Sequence, residues 1–165
     1  MTTDDSLILH RCTADDKLST TLEKILRLSN SIFGTEPQSK YASFDEWKRR
    51  LSAPGSVVVY LAPQTSPALP VAFLFTHPRH HSPPLAHGET DSLHIWLAGV
   101  TPEKRKEGCL ATMVAALGFI PVLTVCTTPD VYPDMWRWLM GRGWSVEREL
   151  SGGKVMLSKT HQMGR

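Results

Sequence analysis

Cysteine is scarce in this 165-residue chain: Cys12, Cys109 and Cys126 are all it has. The odd count, at spacings that match no zinc or disulfide framework, excludes a disulfide-stapled secreted scaffold. It points to a reducing compartment. A basic leader is also missing, because Asp4 and Asp5 stand where a secretory signal needs positive charge. No apolar run approaches the roughly 20 residues that span a bilayer. A cytoplasmic protein without membrane contact is the expectation. Net charge is only +2, too little to argue for nucleic acid, and no nucleic-acid partner is expected. There is no acidic run, no internal repeat and no low-complexity segment. The length fits one domain, 1–165, large enough to bury a core without metals or disulfides.

What is there is a regular alternation of elements. Ser6 to Cys12 reads as a strand, and Thr13-Ala14-Asp15-Asp16 as a helix start. Leu18, Leu22, Ile25, Leu26, Leu28 and Ile32 give a helix one apolar face, and Gly34 ends it. After a polar stretch, Thr35 to Ala42, the capping box Ser43-Phe44-Asp45-Glu46 opens a second helix. Ser56 to Leu61, Leu69 to Thr76 and Ser92 to Val100 read as strands, separated by a proline turn and by a loop, His77 to Thr90. A helix is expected over Gly108 to Phe119, a strand over Val122 to Cys126, and a helix over Pro133 to Met140. Trp144 to Leu150 and Lys154 to Ser158 close the chain as a hairpin. The order β-α-α-β-β-β-α-β-α-β-β predicts an α+β, or mixed α/β, fold. Its sheet is central and mostly antiparallel, with about seven strands and about four helices.

The stretch Leu93 to Ala111 carries the chemistry. It is a strand, a basic turn with Lys104, Arg105 and Lys106, and a helix that starts at Gly108. The first N–H groups of a helix attract phosphate, and a glycine lets the phosphate approach the backbone. A solvated corner between strand and helix has the same pattern, so these features alone leave both readings open.

This stretch resembles the signature of the GNAT superfamily of N-acetyltransferases. There a strand ending in Val leads through a short turn to Arg/Gln-x-x-Gly-x-Gly/Ala at a helix start. The matching residues are Val100, Thr101-Pro102-Glu103 and Arg105-x-x-Gly108, and the Arg142-Gly143-Trp144 corner looks like the family's Lys/Arg-x-Gly-Phe. The element order matches along nearly the whole chain. Leu110 departs from the expected second Gly or Ala, Glu107 brings a carboxylate to the corner, and Leu139 stands where many members carry a tyrosine acid.

The resemblance implies acetyl-CoA as co-substrate. It implies that the backbone of Leu97, Ala98, Gly99 and Val100 pairs with the pantetheine arm. Arg105, Lys106, Glu107, Gly108, Cys109, Leu110 and Ala111 would hold the pyrophosphate, and Thr127 and Thr128 would lie at the acetyl end. The acceptor is then a small-molecule amine, with an amino sugar such as glucosamine as the first choice. The rivals are a peptide or protein N-acetyltransferase and a non-catalytic acyl-CoA-binding module. A terminal hairpin that exchanges between protomers would give a homodimer.

Amine attack on a thioester needs a base. His94 is the candidate, six residues before Val100, where several family members carry a glutamate base, and an imidazole titrates near neutrality. Strand period puts His94, Trp96 and Ala98 on one face, which makes Trp96 the candidate acceptor wall. Tyr132, just ahead of Pro133, is the candidate acid and a second acceptor contact. Each has a plainer reading as a packed strand or helix-start residue. His77, His80, His81 and His87 lack a second ligand motif, and no metal is expected.

Overall fold

The computed structural model describes residues 5–14, 19–34 and 43–161. The expected helix start at Asp15 and Asp16, Leu18, and the stretch Thr35 to Ala42 lie outside them. Eleven elements follow the expected order. They are β1 (Leu7–Cys12), α1 (Ser19–Phe33), α2 (Phe44–Leu51), β2 (Val57–Pro63), β3 (Ala72–His80), β4 (Asp91–Val100), α3 (Cys109–Ala115), β5 (Val122–Thr127), α4 (Pro133–Met140), β6 (Ser145–Glu149) and β7 (Val155–Thr160). The strands form one sheet in the order β1-β2-β3-β4-β5-β7-β6. β4 and β5 run parallel, while β1–β2, β2–β3, β5–β7 and β6–β7 are antiparallel.

Two of these elements differ from the sequence reading. β3 continues through Pro78 to His80, where a loop was expected. β2 begins at Val57, opposite Thr76. Pro78 therefore lies past the end of that ladder, and its missing N–H costs no bond on that side. α3 stops at Ala115 rather than Phe119. Its last turn tightens, with the Leu117 N–H donating to Val114 O, before Gly118.

The residues divide into two compact units. One takes in the chain up to His77 together with Leu97–Leu117. Its core gathers α1, α2, β2 and the first half of β3. Leu22, Ile25 and Leu26 are the buried face of α1, at the spacing an amphipathic helix requires. α2 starts at the Ser43 cap, whose hydroxyl accepts from Glu46 N–H, so the capping box forms. Trp47 projects from α2 into the core with no exposure. It meets Phe75 edge-on at 5.1 Å and lies tilted against Phe73 at 5.8 Å. On the outer face, Arg49 chiefly and then Arg50 hold the Glu46 carboxyl down at about 2.

The second unit is Pro78–Trp96 with Gly118–Arg165. Its centre is β5, flanked by β4 and β7, with Leu123 and Leu157 fully buried. The segment after β3 is anchored on it. Leu85 packs with Val122 and Met156, Ala86 N–H donates to Glu147 Oε2 at 2.8 Å, and Arg148 donates to Pro83 O. After α4 the chain turns through Gly143, whose φ of 82° suits the left-handed region. Trp144 then enters the core. The Arg142 guanidinium stacks 4.6 Å above the Trp138 ring beside it.

Trp144→Ala should cost about 3–5 kcal/mol, the usual loss for truncating a large buried aromatic. Val146→Ala, at a half-exposed position two residues on, should change stability by no more than about 0.5 kcal/mol. Urea melts of the two variants make the comparison.

Candidate active site

In the first unit, the end of β4 leads into the basic turn. Gly99 is there because nothing larger fits. A Cβ at this position would stand 2.9 Å from the Phe73 ring and 3.0 Å from Ile32 Cδ1. Thr101 N–H then donates to Val71 O, and the Arg105 Nε–H reaches back to Val100 O at 3.1 Å. These two bonds fold the turn onto the strand end.

Two left-handed residues follow, Lys106 (φ 65°) and Gly108 (φ 80°). No atom lies within 4 Å of where a Gly108 Cβ would be, so the glycine is set by backbone conformation and the space around it is open. The first N–H of α3 to find a helical carbonyl is that of Thr112, on Gly108 O at 3.0 Å. Those of Cys109, Leu110 and Ala111 precede it and have no intrahelical partner. Free N–H groups at a helix start are suited to phosphate oxygens. Lys106 and Glu107 are exposed, and Leu110 and Ala111 half-buried. Cys109 is buried, its thiol aimed at Lys104 O, and burial pushes its pKa up, with the Glu107 charge adding to that. A neutral, inward thiol is no nucleophile.

In the second unit, β4 pairs with β5 over Leu93, His94 and Ile95, with His94 opposite Thr124. Ser92 and His94 of β4, Thr124 of β5 and His81, just past the end of β3, come together into a buried polar strip. His94 Nδ1 lies 2.8 Å from Thr124 Oγ1. Thr124 Oγ1 is 2.7 Å from Ser92 Oγ, and Ser92 Oγ is 2.7 Å from His81 Nε2. All four side chains are buried, and Thr124 has no exposure at all. At the far side of the His94 ring, Arg79 Nη1 approaches Nε2 at 3.4 Å and Cys126 Sγ at 3.9 Å.

Arg79 fixes the His94 tautomer. A guanidinium has donors only, so His94 Nε2 is the acceptor and Nδ1 carries the hydrogen, which goes to Thr124. Thr124 donating to Ser92, and Ser92 to His81 Nε2, satisfies every member and takes His81 as a neutral imidazole. That agrees with its pKa, which burial lowers first and the Arg79 and Arg148 charges lower further.

The other expected residues fall nearby in the chain but not all in this strip. Trp96 is half-buried, two residues along β4 from His94. Thr127 is buried at the end of β5, and Thr128 abuts the Gly153 turn. Tyr132 caps α4 and is half-exposed, its N–H on Thr128 O at 2.9 Å. Leu139, at the family's tyrosine position, is buried. The four histidines of the expected loop are engaged separately: His77 with Arg50, His80 with Asp91 and His81 with Ser92, while His87 is exposed. Among the described residues no three metal-binding side chains converge.

Sequence reasoning missed Arg79, His81, Ser92 and Thr124. Arg79 and His81 were assigned to a loop because Pro78 precedes them. Ser92 and Thr124 did leave a signal: each is a polar residue on the inward period of an otherwise apolar strand.

No family model and no curated protein matches the sequence. Solved structures do match the fold. A GNAT-family protein from Desulfovibrio desulfuricans superposes with a TM-score of 0.65 at 15% identity, over 94% of this chain and 99% of that one. The fold is that of the GNAT acetyltransferases. The aminoglycoside N-acetyltransferase AAC(6')-Iy, solved with CoA, has a TM-score of 0.64 at 13% identity, over 88% and 91% of the two chains. Arabidopsis thaliana NAA60, solved with a bisubstrate analogue, has 0.63 at 12%, over 96% and 100%. Among the described residues no helix is long and apolar enough to cross a membrane.

The depressed His81 pKa has a consequence for stability. The unfolded chain takes up this proton near pH 6.5, whereas the folded chain takes it up only at lower pH. Between those two values the unfolded state binds more protons, so stability falls as pH drops. His81→Gln should flatten the decline in Tm between pH 7 and pH 5.5. An unchanged slope would show that His81 protonates as easily folded as unfolded.

Proposed function

We propose that the chain is an N-acetyltransferase that uses acetyl-CoA and acts on a small polar primary amine, with an amino sugar as the first candidate. The observation that carries this is His94, a buried imidazole whose Nδ1 lies 2.8 Å from the Thr124 hydroxyl, which makes Nε2, faced by Arg79, its basic nitrogen. It lies on the strand that runs on into the Gly108 corner. Further support comes from aminoglycoside acetyltransferases of this fold, one of which was solved with trehalose and with sisomicin.

Bound acetyl-CoA would supply an acetyl group already activated as a thioester. The residues of this chain would do the rest. Leu97, Ala98, Gly99 and Val100 would offer strand-edge backbone to the pantetheine arm. Gly108 and the N–H groups of Cys109, Leu110 and Ala111 would receive the pyrophosphate, with Arg105 and Lys106 adding charge and Glu107 turned to solvent. Thr127 and Thr128 would lie at the acetyl end. His94 would take the proton that the amine must lose to attack. Tyr132 would serve the departing sulfur, and Trp96 would cover the acceptor's body with its ring face.

Acetyl-CoA should raise the Tm, because a ligand of the folded state alone stabilises it by mass action. Gly108→Glu should abolish the shift, since it brings bulk and negative charge to the phosphates. A side chain at φ 80° is strained, so the variant's own melt without ligand is the baseline for that comparison. A full shift in the variant would place the nucleotide elsewhere.

Steady-state kinetics over aminoglycosides, glucosamine and peptides tests the reaction. His94→Ala should lower kcat on the order of 100-fold with little change in the acetyl-CoA KM. Trp96→Ala should raise only the acceptor KM. Turnover confined to peptides would make the chain a peptide N-acetyltransferase. Stabilisation by acetyl-CoA with no turnover on any amine would leave a binding module.

A further inference from the structure

Among the described residues the half-buried arginines are Arg50, Arg79 and Arg148. Arg50 donates to the Glu46 carboxylate at 3.0 Å, and Arg148 to Pro83 O at 3.1 Å. Arg79 has no oxygen partner among those residues and pairs with no carboxylate there. Its Nη1 makes two long contacts, with His94 Nε2 at 3.4 Å and Cys126 Sγ at 3.9 Å. Its Nε and Nη2 meet no acceptor among the described residues. The acids of the neighbouring strands are committed elsewhere, Asp91 to His80 and Thr90, Glu147 to Ser158 and the Ala86 N–H. A cation drawn partly out of water, with no anion to offset it, loses hydration without a return.

The strand face beside Arg79 opens in one direction. Ser92, His94 and Thr124 are buried. Trp96 and Cys126, two residues on from His94 and Thr124, are half-buried, and strand period keeps them on the same face. β4 and β5 run parallel, so both become accessible toward the same end. Arg79 reaches the buried part at the His94 ring and the open part at Cys126.

We propose that Arg79 receives an acidic group of the acceptor, a carboxylate or a phosphate, and so selects amines that carry one. The proposal rests on the acetyltransferase reading and narrows its acceptor to a small amine with an oxyanion a few bonds from the amino group. An α-amino acid qualifies as it stands, and an amino sugar qualifies when it bears a phosphate or carboxylate. The Nε–Nη2 edge of a guanidinium offers two coplanar N–H donors at the spacing of two such oxygens. A neutral amine leaves that edge in water and gains nothing from it. An oxyanion there also offsets the positive charge that faces His94 Nε2. The acceptor's own acid group then favours proton uptake by the base beside it.

The test uses matched acceptors at saturating acetyl-CoA: glucosamine 6-phosphate against glucosamine, and the common α-amino acids against their amides. In the wild type the anionic member of at least one pair should have the higher kcat/KM, by about 10- to 100-fold, the usual worth of charge-assisted bonds. Which kind of pair shows it tells phosphate from carboxylate. In Arg79→Gln that ratio should fall to about one. Arg79→Lys, which keeps the charge without the fork, should give an intermediate ratio. A ratio of two acceptors on one enzyme does not depend on how much of the variant is folded, and thermal melts report folding separately. A second measurement needs no turnover. Inorganic phosphate or acetate, titrated into the wild type, should move the ¹⁵Nε signal of Arg79 and the ring ¹⁵N signals of His94 along one saturating curve. In Arg79→Gln the His94 signals should stay where they are.

Wild-type ratios near one in every pair overturn the anion site, and so does a preference that Arg79→Gln keeps. Failure of the wild type to acetylate any amine overturns the acetyltransferase reading instead. The titration then decides the site alone: a saturating shift supports it, and signals that stay still or drift without saturating overturn it.

Discussion

A hydroxyl with no solvent exposure, in the middle of a seven-stranded sheet, has to find its hydrogen bonds among its neighbours. Thr124 is that hydroxyl, and much of the second unit is arranged around it. The parallel register of β4 and β5 sets His94 directly opposite. Ser92 lies on the same face of β4 two residues earlier, and Ser158 of β7 pairs with Thr124 from the other side. Ser158 in turn donates to Glu147, whose second oxygen takes the Ala86 N–H and so pins the segment that covers this face. A one-residue slip between β4 and β5 would turn the polar side chains onto the opposite face and orphan them. The polar strip therefore specifies register where the surrounding valines and leucines would tolerate several.

One cation fixes the tautomer at the His94 end of the strip. Hydroxyls can donate either way, and a neutral imidazole has two tautomers. Arg79 removes the ambiguity at His94 because a guanidinium never accepts. Its half-buried side chain also connects to Cys126 on β5, which holds it beside the His94 ring rather than in solvent. The same charge that orients His94 helps keep His81 neutral. One residue thus supports both ends of the line.

The fold was legible in the sequence because it depends on periodicity and punctuation. The Ser43 capping box, the Pro133 start of α4 and the Gly34 and Gly143 turns are local features, and all occur as read. The corner at Gly108 was legible for the same reason, since a glycine three residues after Arg105 at a strand-to-helix turn is a short pattern. The polar strip was not legible, because it joins residues 81, 92, 94 and 124 through strand pairing. Only His94 had a family position to draw attention to it. Pro78 compounded the difficulty. It reads as a strand terminator until β2 is known to begin opposite Thr76.

The departures at Leu110 and Leu139 look different once their surroundings are known. Leu110 sits on the first turn of α3, half-buried, and a side chain on a helix does not obstruct the backbone N–H groups beside it. What the corner requires is the left-handed backbone at Gly108 and open space around it, and both are present. Leu139 is a core residue at 2% exposure, so a tyrosine hydroxyl there would be buried among apolar side chains and would need a partner. Here the helix turns that position inward. Tyr132, by contrast, stands at the exposed start of the same helix.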